Sequence, residues 1–258
     1  MLTMRWPILL LLIISNYVFA DSRGSYGKMG LNKTVFNQFG RIQNSDPYRY
    51  ENRIVGQIGN HCTGTLISSR HVLTAAHCIY DLQTTDVRED LSFTPGRMNR
   101  WFNAFSAVEW KNAYLPKKFD NRHKDYFYDF AVLELEEDIG TNLGWAGFRV
   151  LNERKNLKIS LTGYPHDKEL GSQWTVTCPA LAIEEEIKYL CDTYAGMSGS
   201  AVFEETILNN GRFIIGIHAF SDGSSNGAVK ITRERFQMIN SWIQGNFSKE
   251  TIVIQKDK

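Results

Sequence analysis

The chain is 258 residues long, 43% hydrophobic and 22% charged, with a formal net charge of +1 at neutral pH. That is ordinary globular composition, sufficient to bury a substantial core as one large domain or two small ones. The near-neutral balance excludes recognition of nucleic acid or of an acidic membrane surface through overall charge, so any partner must be argued from a site.

In chain order, residues 1 to 20 combine a basic start, an apolar run from Ile8 to Ile14 and a small residue, Ala20, before Asp21. This pattern predicts a secretory signal peptide, too short to anchor in a membrane. Residues 21 to 34 are polar and lack a clear period, as expected of a pro-segment, with cleavage near Lys33-Thr34 or Thr34-Val35. No second apolar run approaches spanning length, so the processed protein is expected to be secreted, extracellular or periplasmic, and free of the membrane. Asn32-Lys33-Thr34 and Asn246-Phe247-Ser248 are glycosylation sequons, relevant only in a host that glycosylates.

From Tyr48 the pattern is one of short strands: Tyr48 to Ile58, Cys62 to Ser68, His71 to Ala76, Ala104 to Trp110 and Asp129 to Leu135. A second set spans Lys158 to Tyr164, Gln173 to Cys178, Ser200 to Phe203, Arg212 to Phe220 and Gly227 to Thr232. β-Branched and aromatic residues fill these runs, and Gly, Pro, Asn or Asp bound them. The reading is all-β, with closed or sandwiched antiparallel sheets. Phe236, Ile239, Trp242 and Ile243 form an apolar stripe at helical spacing, stopped by Gly245, and predict a helix that closes the domain. Glu184-Glu185-Glu186 and Lys117-Lys118 are read as solvated loops, and the tail beyond Gly245 has no assigned role.

The four cysteines, Cys62, Cys78, Cys178 and Cys191, are an even set in a chain bound for an oxidising compartment. Three connectivities are possible. The sequential one closes two local loops, each worth roughly 3 kcal/mol for a length of about 15 residues. A zinc site is the rival reading, but there is no Cys-x-x-Cys pair and the histidines lack finger spacing.

Three residues carry candidate chemistry. Ser198 lies between glycines in Gly196-Met-Ser-Gly-Ser200, a tight turn whose amides can converge while the hydroxyl stays open. His77, in Val72-Leu-Thr-Ala-Ala-His-Cys78, follows a strand and precedes a cysteine able to fix it, which suits a general base. His61, His71, His123 and His166 lack that setting. Asp129 stands directly before an alternating strand, where a buried carboxylate can orient an imidazole, whereas Asp120 and Asp125 fall in or beside a charged loop.

Their order, His then Asp then Ser, is that of the chymotrypsin type. Cys62-Thr-Gly-Thr-Leu-Ile67, Leu73-Thr-Ala-Ala-His-Cys78, Asp129-Phe-Ala-Val-Leu and Gly196-Met-Ser-Gly-Ser200 resemble the chymotrypsin-fold serine peptidases. Phe93-Thr-Pro-Gly96, Thr162-Gly-Tyr-Pro165 and Asp192-Thr-Tyr narrow the resemblance to the V8-like, or glutamyl endopeptidase, branch. It implies two six-stranded antiparallel β-barrels of chymotrypsin type with a C-terminal helix. The peptidase domain would span residues 35 to 245, with the first barrel near 35 to 140, the second near 145 to 232 and the helix near 233 to 245. It further implies His77, Asp129 and Ser198 as the catalytic residues of a serine endopeptidase, with the amides of Gly196 and Ser198 as oxyanion hole. The expected partner is a protein or peptide substrate met by a monomer, with no cofactor and no metal.

Arg53-Ile54-Val55-Gly56 looks like the activation site of trypsin relatives. Cutting there would sever a strand just before Cys62, and Met197, preceding the serine, cannot accept an ammonium; strand is the preferred reading. For the specificity pocket, His218, Thr193 and Ser221 match the V8-like pattern that receives Glu before the cut. Asp192 stands where trypsin-type enzymes bind Arg or Lys, and leaves that preference as the alternative. A protease-fold binding protein or a masked, toxin-like peptidase is the other class of reading. An α/β-hydrolase needs the opposite order of residues and a parallel sheet.

Overall fold

The computed structural model describes residues 34–80, 86–119, 126–152, 154–205 and 212–256. The signal peptide and nearly all of the pro-segment expected from the sequence lie outside the described residues, as do Asp120, His123 and Asp125. Among the described residues, no helix is long and apolar enough to cross a membrane.

The chain opens with β1 (Ile42–Gln43), a short helix α1 (Tyr50–Arg53) and the strands β2 (Val55–Ile58), β3 (Cys62–Leu66), β4 (His71–Thr74), β5 (Phe93–Pro95), β6 (Trp110–Pro116) and β7 (Ala131–Leu135). After α2 (Gly140–Leu143) come β8 (Arg154–Gly163), β9 (Trp174–Ile183), β10 (Glu186–Tyr189), β11 (Ala201–Glu204), β12 (Ile214–Ser221) and β13 (Asn226–Lys230). Helix α3 (Arg233–Ile243) and β14 (Thr251–Gln255) close the chain.

Two antiparallel sheets result. In the first the order is β14-β6-β7-β4-β3-β2-β5, and a Phe93–Val108 bridge brings β5 back to the approach of β6. In the second, β8-β9-β10-β13-β12-β11 closes on itself because β8 pairs with both β9 and β11, while β1 adds to the free length of β9. The chymotrypsin-type architecture read from the sequence is therefore present, with α3 at its end. Closure of the second sheet removes the edges that an open all-β fold must protect, while β14 and β5 end the strand order of the first. The pleat explains the burial: along β9, Val176, Cys178, Ala180 and Ala182 face the core while Thr177 and Pro179 face out.

The cysteines pair sequentially, Cys62 with Cys78 and Cys178 with Cys191. Several local expectations are corrected. Tyr50–Arg53 form a helical turn inside the run read as one strand, so Arg53-Ile54-Val55-Gly56 is strand only from Val55. There the Asn52 side-chain amide donates to Asp46 O, and Arg53 Nε donates to Leu143 O, tying the turn down. The strand expected over Ala104 to Trp110 begins only at Trp110 and runs on to Pro116. Glu186, read as loop, starts β10: the hairpin turns on Glu184, whose φ of +42° stands where Gly or Asn would have signalled the turn.

The tail has a structural role. β14 pairs with β6 from Thr251 opposite Pro116 to Gln255 opposite Asn112, returning the chain from the second barrel to the first sheet. Trp242 on α3 is fully buried, packs on Phe130 with ring centroids 5.6 Å apart, and donates from Nε1 to Thr251 Oγ1. Truncating Trp242 to alanine should cost about 3–5 kcal/mol of folding stability, measured as a lowered urea midpoint. A loss below about 1 kcal/mol would mean that this docking adds little.

Candidate active site

The site is built where strand ends of the first barrel meet one loop of the second. β4 ends at Thr74, Ala75 stays extended, and Ala76–Cys78 make a single 3₁₀ turn. Small buried side chains at Ala75 and Ala76 let that turn lie close, and the Cys62–Cys78 disulfide ties it to the start of β3. β7 lies antiparallel to β4 with Ala131 opposite Thr74, so the residues before β7 and after β4 emerge side by side. Asp129, 2% exposed, thereby receives His77 on both oxygens: the His77 amide donates to Oδ1 at 2.9 Å, and Nδ1 lies 2.6 Å from Oδ2. A carboxylate accepts only, so the imidazole proton is held on Nδ1 and Nε2 is left to accept.

Ser198 comes from the loop between β10 and β11. Met197 N donates to Tyr194 O and Ser200 N to Met197 O, which curls the chain around the serine. Gly196 at φ +94° and Gly199 at φ +82° are backbone positions that a side chain disfavours. Space forbids one as well: a β-carbon at Gly196 would strike the Tyr164 carbonyl, and at Gly199 the Thr63 carbonyl and Thr74 Oγ1. Thr63 on β3 clamps the loop twice, its amide donating to Ser198 O at 2.8 Å and its hydroxyl to Gly196 O at 2.8 Å. Gly199 thus abuts Thr74 and Ala75, the residues leading into His77, and brings Ser198 to the same place. Among the described residues, the Ser198 hydroxyl and the amides of Gly196 and Ser198 have no hydrogen-bond partner. An open hydroxyl, two free amides and an imidazole with a bare Nε2 are what acyl transfer uses, and such contacts tighten when substrate arrives. Met197 is fully buried and packs in the second barrel's core.

The pocket residues part company. His218 on β12 is 6% exposed, with Nδ1 2.7 Å from the Tyr189 hydroxyl and 3.2 Å from Gly227 O. Burial pushes its pKa down to about 4, assisted by the nearby His77 and opposed by the Gly227 carbonyl. Thr193 is fully buried, its amide donating to Thr34 O and its hydroxyl unpartnered among the described residues. Ser221 is absorbed by a turn: its hydroxyl donates to Ser225 O and accepts from Gly223 N. Asp192 is drawn to the N-terminal segment, where its Oδ1 accepts the amides of Phe36 at 2.6 Å and Asn37 at 3.0 Å.

Tyr189, Thr63 and Asn226 were not singled out from the sequence. Tyr189 sits beside a stretch read as loop, and Thr63 looks like any strand threonine. Asn226, whose side chain donates to Thr34 O and Cys191 O, stands one residue before the strand read from Gly227.

Comparison with known proteins bears on the family and the fold. The trypsin family model matches residues 41–243. A glutamyl endopeptidase of Bacillus licheniformis is 32% identical over 205 residues, which is 76% of this chain and 63% of that protein. A Bacillus subtilis protein named an extracellular metalloprotease is 31% identical over 184 residues, 70% of this chain and 58% of its own length. The chain therefore spans about three fifths of the length of these curated relatives. The metal in the second name finds no free donor set of three or more side chains among the described residues. Among the described residues, the one close His, Cys, Asp or Glu cluster is Cys62, His77 and Cys78, and a disulfide occupies both sulfurs. A solved Glu endopeptidase structure superposes with a TM-score of 0.72 at 26% identity, covering 81% of this chain and 99% of that one. With the family model running across both sheets to the last turn of α3, the chain belongs to the trypsin family of serine endopeptidases, a family of hydrolases.

Proposed function

We propose that this protein is a secreted serine endopeptidase that cleaves after glutamate, with Ser198 as nucleophile, His77 as general base and acid, and Asp129 as the orienting carboxylate. Ser198 Oγ attacks the peptide carbonyl while His77 Nε2 takes its proton. Asp129 stabilises the imidazolium that forms, and the amides of Gly196 and Ser198 hold the oxyanion. His77 then returns the proton to the leaving amine, and water repeats the sequence on the acyl-enzyme. The bidentate hold of Asp129 on His77, beside a serine with a free hydroxyl, supports this assignment.

The acidic preference rests on the occupation of Asp192. Its Oδ1 accepts the main-chain amides of Phe36 and Asn37, which anchors the carboxylate to the N-terminal segment and leaves Oδ2 as its one uncommitted oxygen among the described contacts. The buried Thr193 hydroxyl, without a partner among the described residues, and His218, whose hydrogen-bond contacts there are all at Nδ1, suit a carboxylate instead. The Bacillus relatives also support the reading, since one is named a glutamyl endopeptidase. Cleavage after Lys33 fits the same proposal better than cleavage after Thr34, because it keeps Thr34, whose carbonyl accepts from the Thr193 amide and the Asn226 side chain.

The test uses matched peptides differing only in the residue before the cut: Glu, Asp, Arg or Phe. Processed protein should favour Glu over Arg by about 100-fold or more in kcat/KM. Thr193→Ala and His218→Ala should each erode that preference, and amino-terminal sequencing should read Thr34 or Val35. Preference for Arg would give the pocket to Asp192. Inactivity of correctly processed protein on all four would favour a binding or masked role.

A further inference from the structure

Tyr189 lies at the end of β10 and His218 lies on β12, and both strands pair with β13. The register shifts between His218 and Phe220, a bulge that re-aims the histidine toward its neighbour across Gly227. The Tyr189 hydroxyl, on a side chain 3% exposed, reaches His218 Nδ1 at 2.7 Å, and no other partner is recorded for it among the described residues. Nδ1 has a second neighbour, the Gly227 carbonyl at 3.2 Å. These two make opposite demands. A carbonyl can only accept, and would draw the ring proton onto Nδ1. A phenol can donate, and would drive the ring proton onto Nε2. Burial raises the Tyr189 pKa well above its ordinary value, so the hydroxyl keeps its proton and remains a donor. Nε2 is the ring nitrogen left without a partner among the described residues.

We propose that Tyr189 is a positioning residue: by donating to Nδ1 it sets the neutral tautomer of His218 and makes Nε2–H the donor that receives the glutamate carboxylate. This rests on the acidic-pocket reading above and assigns the control of its donor. Without the hydroxyl, Gly227 O becomes the sole partner at Nδ1. The proton moves there, and Nε2 becomes an acceptor facing the carboxylate. A pocket in that state repels Glu but can accept the amide N–H of Gln, so the Tyr189→Phe change should alter selectivity as well as affinity.

Two measurements on processed protein decide it. The first is ¹⁵N NMR of histidine-labelled protein at neutral pH, with His218 assigned by difference from His218→Gln. Wild type should carry its proton on Nε2, and Tyr189→Phe on Nδ1. The second compares Glu and Gln peptides. Tyr189→Phe should lower kcat/KM on Glu by about 10- to 100-fold, mainly through KM, the scale of one hydrogen bond to a charged group. Gln should lose far less, so the Glu-to-Gln ratio collapses, an outcome that general loosening of the pocket does not produce. A wild-type His218 protonated on Nδ1, or on both nitrogens, overturns the proposal. So does an unchanged tautomer with an unchanged Glu-to-Gln ratio in Tyr189→Phe. Should Tyr189→Phe fail to fold, the wild-type spectrum alone decides. Should wild type show no preference for Glu, the acidic-pocket reading falls, while the nitrogen signals still answer whether Tyr189 sets the tautomer.

Discussion

Ser198→Ala is expected to lower kcat on a Glu-containing peptide by about 10⁶-fold while leaving the fold intact. The side chain is half-buried in a loop fixed by its backbone: Ser198 O is held by the Thr63 amide, and Gly196 and Gly199 provide the turns. The hydroxyl has no partner among the described residues, so its removal orphans no buried group and should change stability by less than about 1 kcal/mol. The loss then reports the covalent step alone. Residual turnover of about 10³-fold over the uncatalysed reaction should persist, from peptide binding and the free amides of Gly196 and Ser198. Single-turnover kinetics with an acyl-enzyme trap would check both points. A variant retaining a tenth of wild-type activity would remove Ser198 as nucleophile.

Asp129→Asn should cost about 10⁴-fold in kcat at neutral pH, with little change in KM. The reason is the direction of one proton. In the wild type, Oδ2 at 2.6 Å holds the proton on Nδ1, and Oδ1 accepts the His77 amide. Asparagine can keep one of these bonds through its carbonyl. Its amide group then offers a donor to Nδ1, which drives the imidazole proton to Nε2, the atom required to accept from Ser198. The carboxylate that would stabilise the imidazolium is also gone, and Asp129 is too buried for water to substitute freely. Measured kcat across the pH range should recover in part at high pH, where hydroxide can replace the missing base. A loss below about tenfold would show that His77 orients itself.

The local parts of this site were readable because each is a short chemical unit. Ala75-Ala-His77-Cys78 contains its own small-residue turn and its own crosslink, and Gly196 to Ser200 contains the glycines its turn requires. Asp129 precedes a strand whose alternation is plain. The C-terminal helix could be read for the same reason: its stripe of Phe236, Ile239 and Trp242 recurs at the helical period, and Gly245, at φ +71°, ends it. Sequence reasoning failed where the signal was missing or misleading. Glu184 at a positive φ hid the β9–β10 hairpin, and with it Tyr189. Tyr50–Arg53 fall inside a run read as strand but turn into a helix, where the main-chain carbonyls of Asp46 and Leu143 accept the Asn52 and Arg53 side chains from outside the segment.

The four cysteines by themselves left three connectivities open; what the sequence determined was the all-β character, the local settings of His77, Asp129 and Ser198, and the glycines without which the serine loop cannot close. Each depends on residues within a few positions of one another, where propensity and sterics act directly. Tertiary structure alone decided the rest. Asp192 is held by amides 155 and 156 residues away in the chain, Thr63 grips Gly196 from 133 residues away, and Tyr189 meets His218 across 29. A carboxylate's role follows from which donors reach it, and a histidine's tautomer from what faces Nδ1. Both are set by strand register and closure of the second barrel, which no local pattern encodes.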